Sequence, residues 1–370
     1  MKTFFPIFLV WLLFMGCAAG QSVQKGPEKN IVQSESPEKY DDRYEAQCDA
    51  KYEAEYSALL EKLKTLEQSI SAFRSEVANL EYRLSNLQTR NSLTTYKLPE
   101  EVFLCDERFP IENRNVWENL DREFLLALSN EVTVILWMKR ARRYFPYIEE
   151  RLKEMGLPDD LKYVAITESG LRPEAVSSSG AGGIWQFIPS TGEKYGMRRN
   201  RSIDERFDFF KATEGAFSYL KSLYEEFKSW TLSMAAYNAG ENRVRKEIEL
   251  QKTRDYFYLD LPLETERYVY KIAVAKIILS DPGRYGYSLK EKELYDPFQV
   301  ERIQIELTQP LPIIEVAKAI GIFYKEVKEM NPHLFEETIP LGIHFLNLPP
   351  GASGKFWTFF SAWKKEMERK

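Results

Sequence analysis

The most regular pattern of apolar positions lies early in the chain. Leu59, Leu63, Leu66, Ile70, Phe73, Val77, Leu80, Leu84 and Leu87 alternate spacings of four and three, and Tyr52 and Tyr56 extend the series upstream. This 3.5-residue repeat, held over about four heptads, predicts a coiled-coil helix across residues 52–90, on the order of 50–60 Å long. One seam position carries Leu63, Ile70, Val77 and Leu84, and the other is mostly leucine. Such a seam favours parallel association, so a homodimer through 52–90 is expected. The alternative is an amphipathic helix folded back onto the rest of the chain.

Residues 91–128 show no clear period and read as a linker. From Ser129 the helical period returns: Val134, Trp137, Met138, Ala141, Phe145, Ile148 and Leu152 share a face, and Gly156-Leu157-Pro158 ends it. Pro146 within this run predicts a kink or a break. Asp159 or Asp160 can cap the next helix, LKYVAITES, which carries Glu168 near its C-terminal end. Further helices are expected after Pro189, over 211–227, over 230–239 and over 266–279. No alternating pattern interrupts them, so 129–290 reads as one all-α domain. After Asp296 the period changes. Phe298 and Val300, then Ile303, Ile305 and Leu307 after a one-residue slip, suggest a strand with a bulge at Glu301-Arg302. Two short helices near 312–320 and 324–330 and a second strand at 344–348 complete a βααβ unit over 297–352. Residues 353–370 predict an appended helix. The expected fold class is mainly α.

The first residues read as targeting sequence. Lys2 precedes an almost wholly apolar run from Phe4 to Met15, too short to span a bilayer, and Gly16-Cys17 follows at once. Residues 1–16 are therefore expected to be a signal peptide. Cys17 resembles a bacterial lipoprotein processing site, which implies a lipid anchor to a membrane and a polar tether over 17–51. A soluble exported form is the alternative. Cys48 and Cys105 would then occupy an oxidising compartment, where a disulfide can form.

Charge and composition narrow the chemistry. The 370 residues carry a net charge of −5, which provides no basic footprint for nucleic acid. With only two histidines, His333 and His344, far from the motif-rich centre, His-based triads and zinc hydrolysis are disfavoured. No metal and no cofactor are expected.

The densest stretch for chemistry runs from Ile166 to Phe187, ITESGLRPEAVSSSGAGGIWQF. A phosphate cradle would need a following Lys-Ser/Thr or a preceding strand, and neither is present. A plain loop between helices remains open on these residues alone. The third reading is an active site around one acid. Glu168 follows Val164-Ala165-Ile166, and an apolar setting raises a carboxyl's pKa and suits it to donate a proton. Gln186, and Tyr237-Asn238 farther along, supply the amides and phenol that suit sugars.

In order, Glu168-Ser169, Gly183-Ile184-Trp185-Gln186, Ala236-Tyr237-Asn238-Ala239-Gly240 and Glu264-Thr265-Glu266-Arg267-Tyr268-Val269 resemble the motifs of family 1 lytic transglycosylases, most of all the membrane-bound D branch. The resemblance runs from about Val132 to Tyr285. It implies a lysozyme-like α-helical domain and Glu168 as the only catalytic acid. It also implies Ser177, Gln186, Asn238 and Glu264 as residues of the glycan cleft, and Tyr237 as the tyrosine that orients the acid; Tyr268 is placed less securely. The implied substrate is peptidoglycan, cleaved between N-acetylmuramic acid and N-acetylglucosamine with formation of the 1,6-anhydro sugar. The 297–352 unit resembles a LysM peptidoglycan-binding module, although its first strand lacks the usual start, so a purely structural cap is the alternative. The resemblance further implies a periplasmic location at the outer membrane. Two other functions are weighed: a hydrolytic muramidase on the same fold, and a non-catalytic scaffold that binds the wall.

Overall fold

The computed structural model describes residues 42–88 and 93–367. The signal peptide, Cys17 and most of the tether lie outside the described residues. The first element is a single long helix, α1 (Asp42–Gln88). It starts inside the stretch read as tether and covers the predicted heptads up to Gln88. Its seam is uncovered: Leu59, Leu63, Leu66, Ile70, Phe73, Val77 and Leu80 are all exposed. Residues 42–81 belong to a unit of their own, separate from 82–370.

The stretch read as a linker is instead folded. Strands β1 (Phe103–Leu104) and β2 (Glu107–Arg108) pair antiparallel around a two-residue turn. Cys105 and Asp106 both have positive φ there, the geometry that matches the twist of a tight hairpin. Cys105 is a buried free thiol. Helix α2 (Arg114–Ser129) follows, its start capped by the Asn113 side chain. Val116, Leu120, Phe124 and Leu128 bury one face of it in the main core, against the later helix Leu263–Ser280.

Helix α3 (Glu131–Glu154) passes through Pro146 without a break. A 3-10 turn at Asp159–Leu161 leads into α4 (Lys162–Ser169), and neither aspartate caps it. Asp160 serves elsewhere: its carboxylate accepts from the Cys105 amide at 2.7 Å and from Lys276 at 2.7 Å. Helix α4 is buried on most sides, Lys162 and Ser169 included, and Gly170, at φ +62°, ends it in the left-handed region glycine favours. Then come α5 (Pro189–Lys194), α6 (Phe209–Phe227) and α7 (Trp230–Ala239). The Glu107 carboxylate caps α7, accepting from the Trp230 amide and, at 2.9 Å, from the Thr231 amide. Helix α8 (Glu241–Gln251), which was not anticipated, precedes α9 (Leu263–Ser280). Helices α4 and α7 both pack on α9 at the centre of this all-α body.

The C-terminal unit has the two anticipated strands and two helices, and a second, two-residue strand pair, Leu311–Pro312 with Thr338–Ile339, that was not anticipated. Its strands and helices are β3 (Glu301–Leu307), β4 (Leu311–Pro312), α10 (Ile313–Ile320), α11 (Tyr324–Met330), β5 (Thr338–Ile339) and β6 (Gly342–Leu348). Strand β3 pairs antiparallel with β6 in unbroken register from Glu301↔Leu348 to Leu307↔Gly342, so the expected bulge at Glu301-Arg302 is absent. Phe298 lies before the strand, where its amide donates to the Arg143 carbonyl and its ring joins the helical core. Helix α12 (Ser353–Met367) buries Phe356 and Phe360 in the unit's own core. The molecule is mainly α. Among the described residues no helix is long and apolar enough to cross a membrane, and no cluster of His, Cys, Asp or Glu is arranged to hold a metal ion.

Candidate active site

A cleft of about 480 Å³ opens where α4, α7 and α9 meet the Ser177–Phe187 segment. Its lining includes Glu168, Ser177, Gln186, Tyr237, Asn238 and Glu264, so residues far apart in sequence converge on one site. Tyr268, Tyr219, Glu241 and Lys271 line it as well.

Glu168 sits in the last turn of α4, half-buried at the cleft with Tyr268, Tyr237, Glu264 and Lys271 around it. Burial pushes its pKa up to about 7; the Tyr268 hydroxyl opposes this, the Glu264 charge adds to it, and Lys271 lowers it. A carboxyl held near 7 is populated in both forms at neutral pH, which a group acting first as acid and then as base requires.

The hydroxyl that touches Glu168 belongs to Tyr268, which donates to its Oε1. Tyr237, the tyrosine implied to orient the acid, donates instead to the Trp185 carbonyl at 2.8 Å. It still stands near the acid, since its phenol is held far above the ordinary value by burial and then by the Glu168 charge. Tyr237 therefore fixes the cleft wall, and Tyr268 holds the carboxyl itself.

That wall is built by short-range bonding. The buried Ser169 hydroxyl donates to the Ile184 carbonyl at 2.8 Å, tying the end of α4 to the next turn. Trp185 is fully buried, its indole N–H donating to Thr213 at 3.0 Å, so it is core and not a sugar platform. Gln186 takes a left-handed conformation at φ +50°. Its amide nitrogen donates to the Gly183 carbonyl at 2.7 Å and the Ala175 carbonyl at 3.1 Å. No described residue donates to its carboxamide oxygen, which stays available to a ligand N–H or O–H. Ser177 accepts from the Ala181 amide and lies 2.9 Å from the Ser179 hydroxyl. Asn238, at the end of α7, accepts from Thr265 at 2.9 Å and so links that helix to the start of α9.

Two further carboxylates face the cleft. Glu241 accepts from Tyr219 at 3.0 Å and lies 3.6 Å from Lys194. Glu264 has no ion-pair partner among the described residues. Tyr219, Glu241 and Lys271 were missed by sequence reasoning. Lys271 alone left a usable signal, because it follows Tyr268 by three residues and shares its helix face.

Part of the chain is similar to known proteins. Residues 145–259 match the Transglycosylase SLT domain. Membrane-bound lytic murein transglycosylase D of Escherichia coli is 36% identical over 197 residues, which cover 52% of this chain and 43% of that protein. The match thus spans less than half the length of that relative. The crystal structure of the 70 kDa soluble lytic transglycosylase of Escherichia coli is 23% identical, covering 47% of this chain and 32% of that one at a TM-score of 0.33.

Proposed function

We propose that this chain, which carries a transglycosylase SLT domain, cleaves the glycan strands of peptidoglycan as an exported lytic transglycosylase. The observation that carries the reading is the single enclosed acid, Glu168, with its pKa near 7 and Tyr268 on its carboxyl, in a cleft lined by amide and hydroxyl groups. Glu168 protonates the oxygen between N-acetylmuramic acid and N-acetylglucosamine, and the bond from that oxygen to C1 breaks. The sugar's own acetamido group stabilises the positive charge developing at C1. The carboxylate left on Glu168 then takes the proton of the muramoyl C6 hydroxyl, whose oxygen closes onto C1. Atoms balance without water, and Glu168 ends protonated as it began. An intramolecular hydroxyl outcompetes solvent through its high effective concentration.

The location follows the same reading. Export by the N-terminal segment, lipid attachment at Cys17 and residence at the periplasmic face of the outer membrane would place the enzyme beside its substrate. A homodimer through α1 would extend its reach. The 297–352 unit, read as LysM-like, would add affinity for the wall.

The rival hydrolytic reading has a specific candidate in this structure: Glu264 is a carboxylate in the same cleft without an ion-pair partner among the described residues, and two-carboxylate glycosidases use such a group to activate water or attack the sugar. Glu168→Gln and Glu264→Gln on purified wall separate the two. The expected result is loss of essentially all turnover in E168Q, with E264Q retaining turnover at a raised KM. Equal, near-complete loss in both variants would favour hydrolysis.

A further inference from the structure

The Ser177–Phe187 wall is gripped from behind by residues 198–208, a segment that belongs as much to the C-terminal unit as to the helical body. Ile203 is buried in the C-terminal apolar core and forms an antiparallel bridge with Leu334. The Asp204 amide donates to the His333 carbonyl at 3.0 Å, and the Phe335 amide donates to the Ser202 carbonyl at 2.8 Å. Phe207 and Phe335 pack with ring centroids 5.4 Å apart, and Arg302 of β3 pairs with Asp208 at 2.8 Å.

The other side of the same segment meets the cleft wall. Arg206 is buried, and its guanidinium lies over the Phe207 ring at 5.8 Å. One terminal nitrogen donates to the Gly180 carbonyl at 2.8 Å and the Phe187 carbonyl at 2.7 Å, the two ends of the turn that carries Gln186. The rest of the guanidinium engages the Asp204 carboxylate, at 2.7 Å from the other terminal nitrogen. The backbones are in close contact too: a Cβ on Gly183, where φ is +81°, would lie 1.9 Å from the Arg206 carbonyl oxygen. A Cβ on Gly182 would lie 2.8 Å from the Phe207 ring. The wall is thus shaped against this segment, and only glycine fits at the contact.

The geometry points to Arg206 as a positioning residue for the cleft, with the C-terminal unit as the brace that holds it there. The inference rests on the glycan-cleaving reading of the cleft, and it gives the C-terminal unit a part in catalysis separate from any grip on glycan. Lysine at 206 can keep the ion pair with Asp204, but its single ammonium lacks the planar fork that also spans two carbonyls.

Arg206→Lys in the full chain tests this, with two readouts beside a thermal melt. The Gly182 and Phe187 amides donate to each other's carbonyls at 3.0 and 3.1 Å, so their hydrogen exchange reports whether the turn is held. The expected result is exchange at least about tenfold faster at both amides. Turnover on soluble glycan should fall about ten- to a hundredfold with KM kept, the scale of a ~1 Å misplacement. If R206K does not fold, Phe335→Ala, a half-exposed change on the C-terminal side, is measured the same way and should move both readouts in the same direction. Wild-type amide protection in the folded variant, or lost protection with unchanged kcat, overturns the proposal. A wild-type chain that cleaves no wall contradicts the glycan-cleaving reading instead, and amide protection still judges the clamp.

Discussion

At the scale of residues, the account turns on the protonation of Glu168. With its pKa near 7, the acid form is lost as pH rises past that value, so kcat/KM should fall about tenfold per pH unit on the alkaline side. Tyr268 lowers that pKa by donating to the carboxylate. Tyr268→Phe should therefore move the alkaline limb to higher pH while reducing kcat, and a pH–rate profile checks both. A limb that stays in place would separate Tyr268 from the titration. Stability carries the same signature. The carboxyl's ordinary value is 4.5, so the folded state increasingly bears the cost of an enclosed charge as pH rises from there through 7. At about 1.4 kcal/mol per factor of ten, the cost approaches ~3 kcal/mol above pH 7. Glu168→Gln should hence raise the melting temperature at pH 8 and leave it nearly unchanged at pH 4, which calorimetry at the two pH values would show. Glu168, Gln186, Tyr237 and Asn238 were legible as an acid beside sugar-binding groups, whereas Ser177 and Glu264 were implied only by the family resemblance. The division of labour between Tyr237 and Tyr268 was not legible. Both are tyrosines on helices, and only packing decides which hydroxyl reaches an acid 100 positions away in one case and a carbonyl in the other.

Elements were read best where one periodicity ran unopposed. Helix α7 has the bounds its pattern predicts, and α1 follows its heptads. Pro146 misled, because a proline costs its helix one backbone hydrogen bond but need not end it when the flanking turns are packed. The 91–128 segment was missed for two reasons. Its strands are two residues each, too short for any alternation to register, and its turn uses Cys-Asp in place of the usual glycine pair. Helix α2 did leave a trace, since Val116, Leu120, Phe124 and Leu128 recur every fourth residue. The uncovered seam of α1 makes its own prediction. Burying several leucine and isoleucine side chains is worth about 1.5–3 kcal/mol each, enough to drive pairing of two such helices. The intact chain should sediment as a dimer at micromolar concentration and Ile70→Lys as a monomer, with turnover per chain unchanged. A monomeric wild type would remove the homodimer from the account.

At the scale of the whole molecule, sequence pattern separated a helical body from a βααβ unit, and the structure keeps that order while joining the two more tightly than a tethered module requires. The junction was not legible because it is made by residues such as Ile203, Asp204 and Arg206, which look like an ordinary loop until Leu334 and His333 are brought beside them. The same holds for the hairpin of β1 and β2, whose Glu107 caps α7 and so helps place Tyr237 and Asn238. Catalysis by one acid is the central claim, and it differs from hydrolysis by a single atom's origin. Purified wall digested by the full chain in oxygen-18-labelled water, with the released fragments weighed, tests it most directly. The account predicts anhydro fragments without label from the wild type and none from Glu168→Gln. Reducing-end fragments that each carry one labelled oxygen would contradict it.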